Sequence, residues 1–97
     1  MPDYLVTYDV ETTTREGRRR LRRVARVCED YGQRVQLSVF ECRLDEVQIE
    51  TFVARVMAEI DGQHDSLRVY RLPADRVQAV RVMGRDRWRD LDEPLIL

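Results

Sequence analysis

Not one lysine occurs in this chain, and all seventeen basic residues are arginine. Codon usage in a GC-rich genome accounts for such a bias. Its physical consequence holds whatever the cause: every cation is a planar fork suited to bidentate contact with phosphate or carboxylate. Cysteine is almost as scarce. Cys28 and Cys42 are too few and too far apart in sequence for a metal knuckle, and Cys28 falls on an apolar helical stripe as a core residue. The one histidine, His64, follows a Gly62-Gln63 turn and reads as a surface-loop residue. Neither a Ser-His-Asp arrangement, a Gly-rich phosphate loop nor a dinucleotide fingerprint is present. No apolar run approaches the ~20 residues of a membrane span. The opening Met-Pro-Asp has neither the basic nor the apolar region of a secretory signal. These absences lead to the expectation of a cytoplasmic protein, in reducing surroundings and away from membranes.

What is present fits one small globular domain. The 97 residues are 43% apolar and 36% charged, which supports a modest core under a heavily charged exterior. The net charge of −1 is uninformative about nucleic acid, so the distribution of charge has to carry that question.

Residues 4–10 (YLVTYDV) are β-branched and aromatic and read as a strand. Thr12, Thr13 and Thr14 then offer helix caps, with Glu16 in the opening turn. Leu21, Val24, Ala25, Cys28 and Tyr31 form one helical stripe over residues 15–31, closed by Gly32 as a C′ residue. Residues 34–42 (RVQLSVFEC) alternate and read as one strand. Asp45 caps a second helix with the stripe Ile49, Phe52, Val53, Val56, Met57 and Ile60, ended by Asp61-Gly62. Residues 66–72 read as a third strand stopped by Pro73, and residues 77–83 as a fourth stopped by Gly84. This order predicts an α/β (α+β) ferredoxin-like sandwich: an antiparallel sheet with two helices on one face. The domain is expected over residues 1–84. Residues 85–97 form a C-terminal segment whose apolar end, Leu95-Ile96-Leu97, suits a short strand exchanged with a partner's sheet.

Two helices on one face leave the other face open. If Val35, Leu37 and Val39 meet the helices, then Gln36, Ser38 and Phe40 point away from them. In the first strand Val6, Tyr8 and Val10 meet the helices, and Leu5, Thr7 and Asp9 do not. Asp9, Ser38 and Phe40 are therefore expected to share an open face that a second copy covers about a two-fold axis. An Asp at a strand end is ordinarily a turn or capping residue. Arg15, Arg18, Arg19, Arg22, Arg23 and Arg26 lie opposite Leu21 and Cys28, with only Glu16 among them. Such a run is commonly a solvated helix face; at this density it also matches the footprint of a phosphate-backbone reader. Ser38 has no base to make it a nucleophile and could only support a water or phosphate.

One combination is more specific than these features. Tyr8-Asp9-Val10, an arginine-rich helix, the run Tyr31-Gly32-Gln33-Arg34-Val35-Gln36-Leu37-Ser38-Val39-Phe40-Glu41 and the stretch 65–72 (DSLRVYRL) closely resemble the CRISPR-associated endoribonuclease family, CRISPR-associated protein two. The resemblance covers nearly the whole chain. It implies a ferredoxin-like homodimer with Asp9 as catalytic and metal-binding residue and Mg2+, or another divalent cation, as cofactor. It implies nucleic-acid contacts from Arg34 and from helix-one arginines among Arg15, Arg18 and Arg19, to which the charge run adds Arg22 and Arg26. Phe40 is implied at the second strand, with Tyr8 and Ser38 as supporting or interface residues. Implied partners are RNA or duplex DNA and the CRISPR integrase, CRISPR-associated protein one, in spacer acquisition. Many members carry a second acidic residue shortly after the first; here the stretch reads Val10-Glu11-Thr12-Thr13. The alternatives are a non-catalytic DNA-binding scaffold of the integrase complex, and a toxin-like messenger-RNA endoribonuclease similar to the virulence-associated protein D family.

Overall fold

The computed structural model describes residues 1–73 and 76–88, with Val77 described by its backbone alone. Strand β1 (Asp3–Asp9) runs into helix α1 (Arg15–Tyr31), then β2 (Gly32–Gln36), β3 (Val39–Arg43), helix α2 (Glu46–Met57), β4 (Ser66–Arg71) and a single turn, α3 (Arg76–Ala79). The strands form one sheet in the order β2-β3-β1-β4, antiparallel throughout. This βαββαβ order is that of the ferredoxin-like sandwich. No helix among the described residues is long and apolar enough to cross a membrane.

Local sequence explains the helices. The Thr14 hydroxyl accepts the Gly17 N–H at 3.0 Å and starts α1. At α2, Asp45 and Gln48 form a reciprocal capping box. Both helices lay apolar stripes on one face of the sheet. Val24, Val27 and Cys28 of α1 and Phe52 and Val56 of α2 close over Tyr4, Val6, Tyr8, Phe40 and Cys42. Met57, expected in the α2 stripe, is exposed at the last turn.

Residues 34–42 depart from the single strand expected of them. Leu37 and Ser38 form a turn, and a register shift falls between Arg34 and Gln36. Two strands thus stand where alternation suggested one, and the turn reverses the assignment of faces. Val6 pairs with Phe40, so Phe40 points with Val6 into the helix-covered core and is completely buried. Leu37, expected beneath the helices, is 78% exposed. Phe40 therefore does not share a face with Asp9. Gly32 also differs from a left-handed C′ residue: its backbone is extended, at φ −160°, and it opens β2. A side chain there would collide with the Cys42 thiol and the Glu41 carbonyl, so close strand approach demands the glycine.

The expected fourth strand at residues 77–83 is replaced by α3 and a stretch that pairs with no strand among the described residues. Arg76 explains the change. Its peptide N–H donates to Asp3 Oδ2 at 3.3 Å, and its guanidinium lies 2.6 Å from the buried Glu41 carboxylate. The same guanidinium stacks on Trp88 at 4.1 Å from the ring centre. These contacts tie the chain after β4 across the sheet face opposite the helices. The run at residues 94–97, expected to join a partner's sheet, lies outside the described residues.

A buried carboxylate joins the loops at the other end of β1. Asp65, its side chain 0% exposed, accepts the Glu11 N–H at 3.0 Å, the Asp61 N–H at 2.8 Å and the Arg20 Nε at 2.8 Å. Burial alone would raise its pKa. The Arg20 guanidinium and the two peptide N–H groups overcome this and hold the carboxyl down to about 2.

The register and the buried acid can each be tested by unfolding. Phe40→Ala should cost about 3–5 kcal/mol in urea, and Leu37→Ala less than about 0.5 kcal/mol; the opposite ranking would restore continuous alternation through residues 34–42. Because folding lowers the Asp65 pKa, its contribution is complete above the ordinary carboxylate range and disappears as pH falls toward 2. Unfolding free energy should therefore drop by about 2 kcal/mol more between pH ~5 and pH ~2 in the parent than in Asp65→Asn. Parallel pH profiles for the two proteins would contradict this.

Candidate functional site

β1 is a central strand, and its alternation separates two environments. Tyr4, Val6 and Tyr8 are buried under the helices, while Leu5 and Thr7 are half-buried on the other face. Asp9 ends the strand on that second face, exposed and opposite Ser66 of β4. Its carboxylate has no hydrogen-bond or ion-pair partner among the described residues. Capping and turn aspartates here behave differently. Asp45 accepts the Gln48 N–H, Asp61 accepts the Gln63 N–H, and Asp65 accepts two peptide N–H groups.

The surroundings of Asp9 come from three elements. The Ser38 carbonyl accepts the Tyr8 N–H at 3.2 Å, which puts the β2–β3 turn beside the end of β1. Tyr8 donates its phenol O–H to the Leu37 carbonyl at 3.4 Å and stacks on Phe40. Burial raises the Tyr8 pKa against the opposing charge of Arg34, so the phenol keeps its proton at neutral pH. From the third side come Glu11 and His64. The Glu11 carboxylate accepts from the Thr13 hydroxyl at 2.7 Å and lies 3.9 Å from His64. His64 is exposed, as expected of a loop residue, and its hydrogen bond to Asp61 raises its pKa.

Not every expected residue joins Asp9. Arg34 lies over the Phe40 ring at 5.3 Å and within 3.4 Å of Glu29, on the helix-covered side of the sheet. Its Nε is buried without a hydrogen-bond partner among the described residues. The thiols of Cys28 and Cys42 are buried, which pushes both pKa values up to about 12 and makes them poor nucleophiles or ligands. A cleft of about 220 Å³, lined by residues that include Asp3, Gly32, Arg76 and Trp88, lies at the opposite end of β1.

The α1 arginines separate into two roles. Arg20, placed outside the phosphate-binding set by sequence, is the partner of Asp65. Its position signals this: with Gly17, Val24 and Val27 it follows the spacing of the buried flank, where a cation needs a counter-ion. The remaining arginines are exposed. Arg18 donates to the Thr12 carbonyl and Arg19 faces Glu16 at 3.6 Å. Arg15, Arg22, Arg23 and Arg26 have no partner among the described residues. Arg19, Arg22, Arg23 and Arg26 together line one depression. From Arg15 to Arg26 the surface runs roughly 16 Å along the helix, starting at the Asp9 end of the sheet.

Among the described residues no three His, Cys, Asp or Glu side chains converge as a metal-binding group. At the end of β1 one chain thus offers, among the described residues, the Asp9 carboxylate alone as an unengaged acid. That donor is hard enough for magnesium but makes up only part of a coordination set.

Known proteins share this architecture. The model of the family "CRISPR associated protein Cas2" matches residues 1–80. A Moorella thermoacetica protein named CRISPR-associated endoribonuclease Cas2 1 is 48% identical, covering 96% of this chain and 97% of its own length. A CRISPR-associated endonuclease Cas2 from Halalkalibacterium halodurans is 46% identical, covering 95% of this chain and 96% of its own. The crystal structure of Streptococcus pyogenes Cas2 at pH 6.5 superposes with a TM-score of 0.76 at 46% identity, covering 84% of this chain and 99% of that one. With the family model matching residues 1–80 and a relative 48% identical over 96% of the chain, this chain belongs to the CRISPR associated protein Cas2 family.

Proposed function

We propose that two copies of this chain form a symmetric dimer that binds nucleic acid along α1 and hydrolyses phosphodiester bonds at paired Asp9 carboxylates. The observation that carries this reading is the state of Asp9. An aspartate serving a turn would be bonded to backbone N–H groups; this carboxylate is exposed and unengaged among the described residues, on the sheet face without helices. Leu5, Thr7 and Val39 on that face mix apolar and polar surface, as suits contact with a second copy. The endoribonuclease and endonuclease names of the relatives support RNA or DNA as substrate.

Asp9 from each chain would hold Mg2+, with water and substrate phosphate completing the shell. Such an ion supplies a nucleophilic hydroxide at neutral pH and polarises the phosphodiester. The protein's own part is positional and electrostatic. Arg15 and Arg18 stand at the α1 turn nearest Asp9 and balance phosphate charge there. Arg19, Arg22, Arg23 and Arg26 extend that field along the backbone of a bound strand. Ser38 at the β2–β3 turn is near enough in the fold to support a water or phosphate, and Tyr8 stays protonated as packing. Arg34, on the edge strand β2, would add a phosphate contact in exchange for its pair with Glu29.

The same reading includes a partnership with the CRISPR integrase, CRISPR-associated protein one, in cytoplasmic spacer acquisition. A scaffold role without cleavage is the second reading. It is favoured by one observation: a single chain brings no complete ligand set to Asp9 among the described residues. Family membership favours both over a toxin-like messenger-RNA nuclease.

Asp9→Asn should abolish magnesium-dependent cleavage of RNA and duplex DNA while leaving the melting temperature within a few degrees of the parent. Full cleavage by the purified variant would remove Asp9 from the chemistry; absence of cleavage by the parent, with spacer integration intact, would select the scaffold. Binding to duplex DNA should weaken as salt rises. Replacing Arg22, Arg23 and Arg26 by alanine should flatten the log–log salt slope by about 0.9 for each phosphate that is no longer neutralised. An unchanged slope would show that α1 is only a solvated exterior.

A further inference from the structure

The segment between Asp9 and α1 is fastened at every residue from Glu11 to Thr14. The Glu11 N–H donates to Asp65 Oδ1 at 3.0 Å. The Glu11 carbonyl packs against the buried Gly17, where an added Cβ would strike that oxygen. The Thr12 carbonyl accepts from Arg18, the Thr13 hydroxyl donates to the Glu11 carboxylate, and Thr14 caps the helix. Two contacts reach outside the loop and α1 among the described residues: the long 3.9 Å approach of the exposed Glu11 carboxylate to His64, and the 3.0 Å hydrogen bond to the enclosed Asp65, which is the one that holds the backbone. It comes from the residue before β4, the strand whose Ser66 faces Asp9.

We propose that Asp65 is the positioning residue of the Asp9 site, with Arg20 as its counter-ion. Three parts of the fold meet on one carboxylate: the loop after β1 through Glu11, the loop before β4 through Asp61, and α1 through Arg20. The Glu11 peptide lies two residues from Asp9, so its anchor sets where the chain leaves β1 and which way the last residue of that strand is presented. A neutral or displaced partner cannot accept all three donors, because the side chain is enclosed and water has no access to replace it. Arg20 supplies the charge that makes an ionised carboxylate tolerable in that enclosure. Asp65 touches no substrate in this scheme. It acts through the backbone on a carboxylate in the adjoining strand.

The inference rests on reading Asp9 as the reactive carboxylate, and two independent measurements keep the two claims apart. In Asp65→Asn and Arg20→Gln, hydrogen exchange followed by NMR should speed up at the Glu11 and Thr12 amides, with β3 amides unaffected. Cleavage should lose roughly ten- to a hundredfold in kcat with KM near that of the parent, as expected of a misplaced reacting group. Arg20→Lys, which keeps the charge, should recover most of the loss. If Asp65→Asn fails to fold, the two Arg20 variants carry the same comparison. Loop amides that exchange as in the parent would overturn the proposal, as would a loosened loop with unchanged kcat. If the parent shows no Asp9-dependent cleavage, the phosphodiesterase reading falls. The exchange data alone then decide whether Asp65 fixes the end of β1.

Discussion

The alternation of β1 is the constraint from which the rest of the molecule follows. As a central strand it is paired on both sides, to β3 and to β4, so its register cannot slip without turning its buried set to the other face. Tyr4, Val6 and Tyr8 then have to meet the helices, and Asp9 has to emerge where there are none. Phe40 locks the arrangement from β3, lying under Tyr8 and against Arg34 at complete burial. An exposed acid at the end of a buried strand is thus a consequence of sheet geometry. A carboxylate at that position inherits the rigidity of the core without requiring any large pocket.

Charge is sorted by the same geometry. Arginines that face the fold are matched to buried or partly buried acids, as Arg20 is to Asp65 and Arg76 is to Glu41. Those on the outward flank of α1 are mostly left without acids among the described residues. A protein of nearly zero net charge can therefore present a strongly positive strip, because many of its acids lie elsewhere on the molecule or are consumed inside it. Having only arginine matters on both sides of this division. The guanidinium tolerates partial burial beside a carboxylate and stays charged on the exterior.

Much of this is legible in the sequence. Helix α1 coincides with its expected bounds, Thr14 is among the three caps expected, and β1 carries the parity deduced for it. Asp9 stands at the end of the first strand, where the pattern places it. Residues 34–42 are not legible by alternation, because a two-residue turn without glycine or proline, at Leu37-Ser38, carries none of the usual signals of a hairpin. With that turn unseen, every face assignment beyond it inverts, and alternation puts Phe40 in the open. Residues 77–83 mislead for another reason. Valines three residues apart satisfy a helical turn as readily as a strand, and the deciding contact of Arg76 with Glu41 spans 35 residues. Asp65 carries no local signal at all, though Arg20 does through its place on the buried flank.

The crossing of the chain after β4 has a consequence for the surface of the sheet. Arg76 and Trp88 already occupy the helix-free face at its Asp3 and Glu41 end. Among the described residues, that crossing leaves uncovered the half that ends in Asp9 and Ser66. Among the described residues, the guanidinium that staples the chain to itself thereby narrows the helix-free surface to the end of the sheet that carries Asp9.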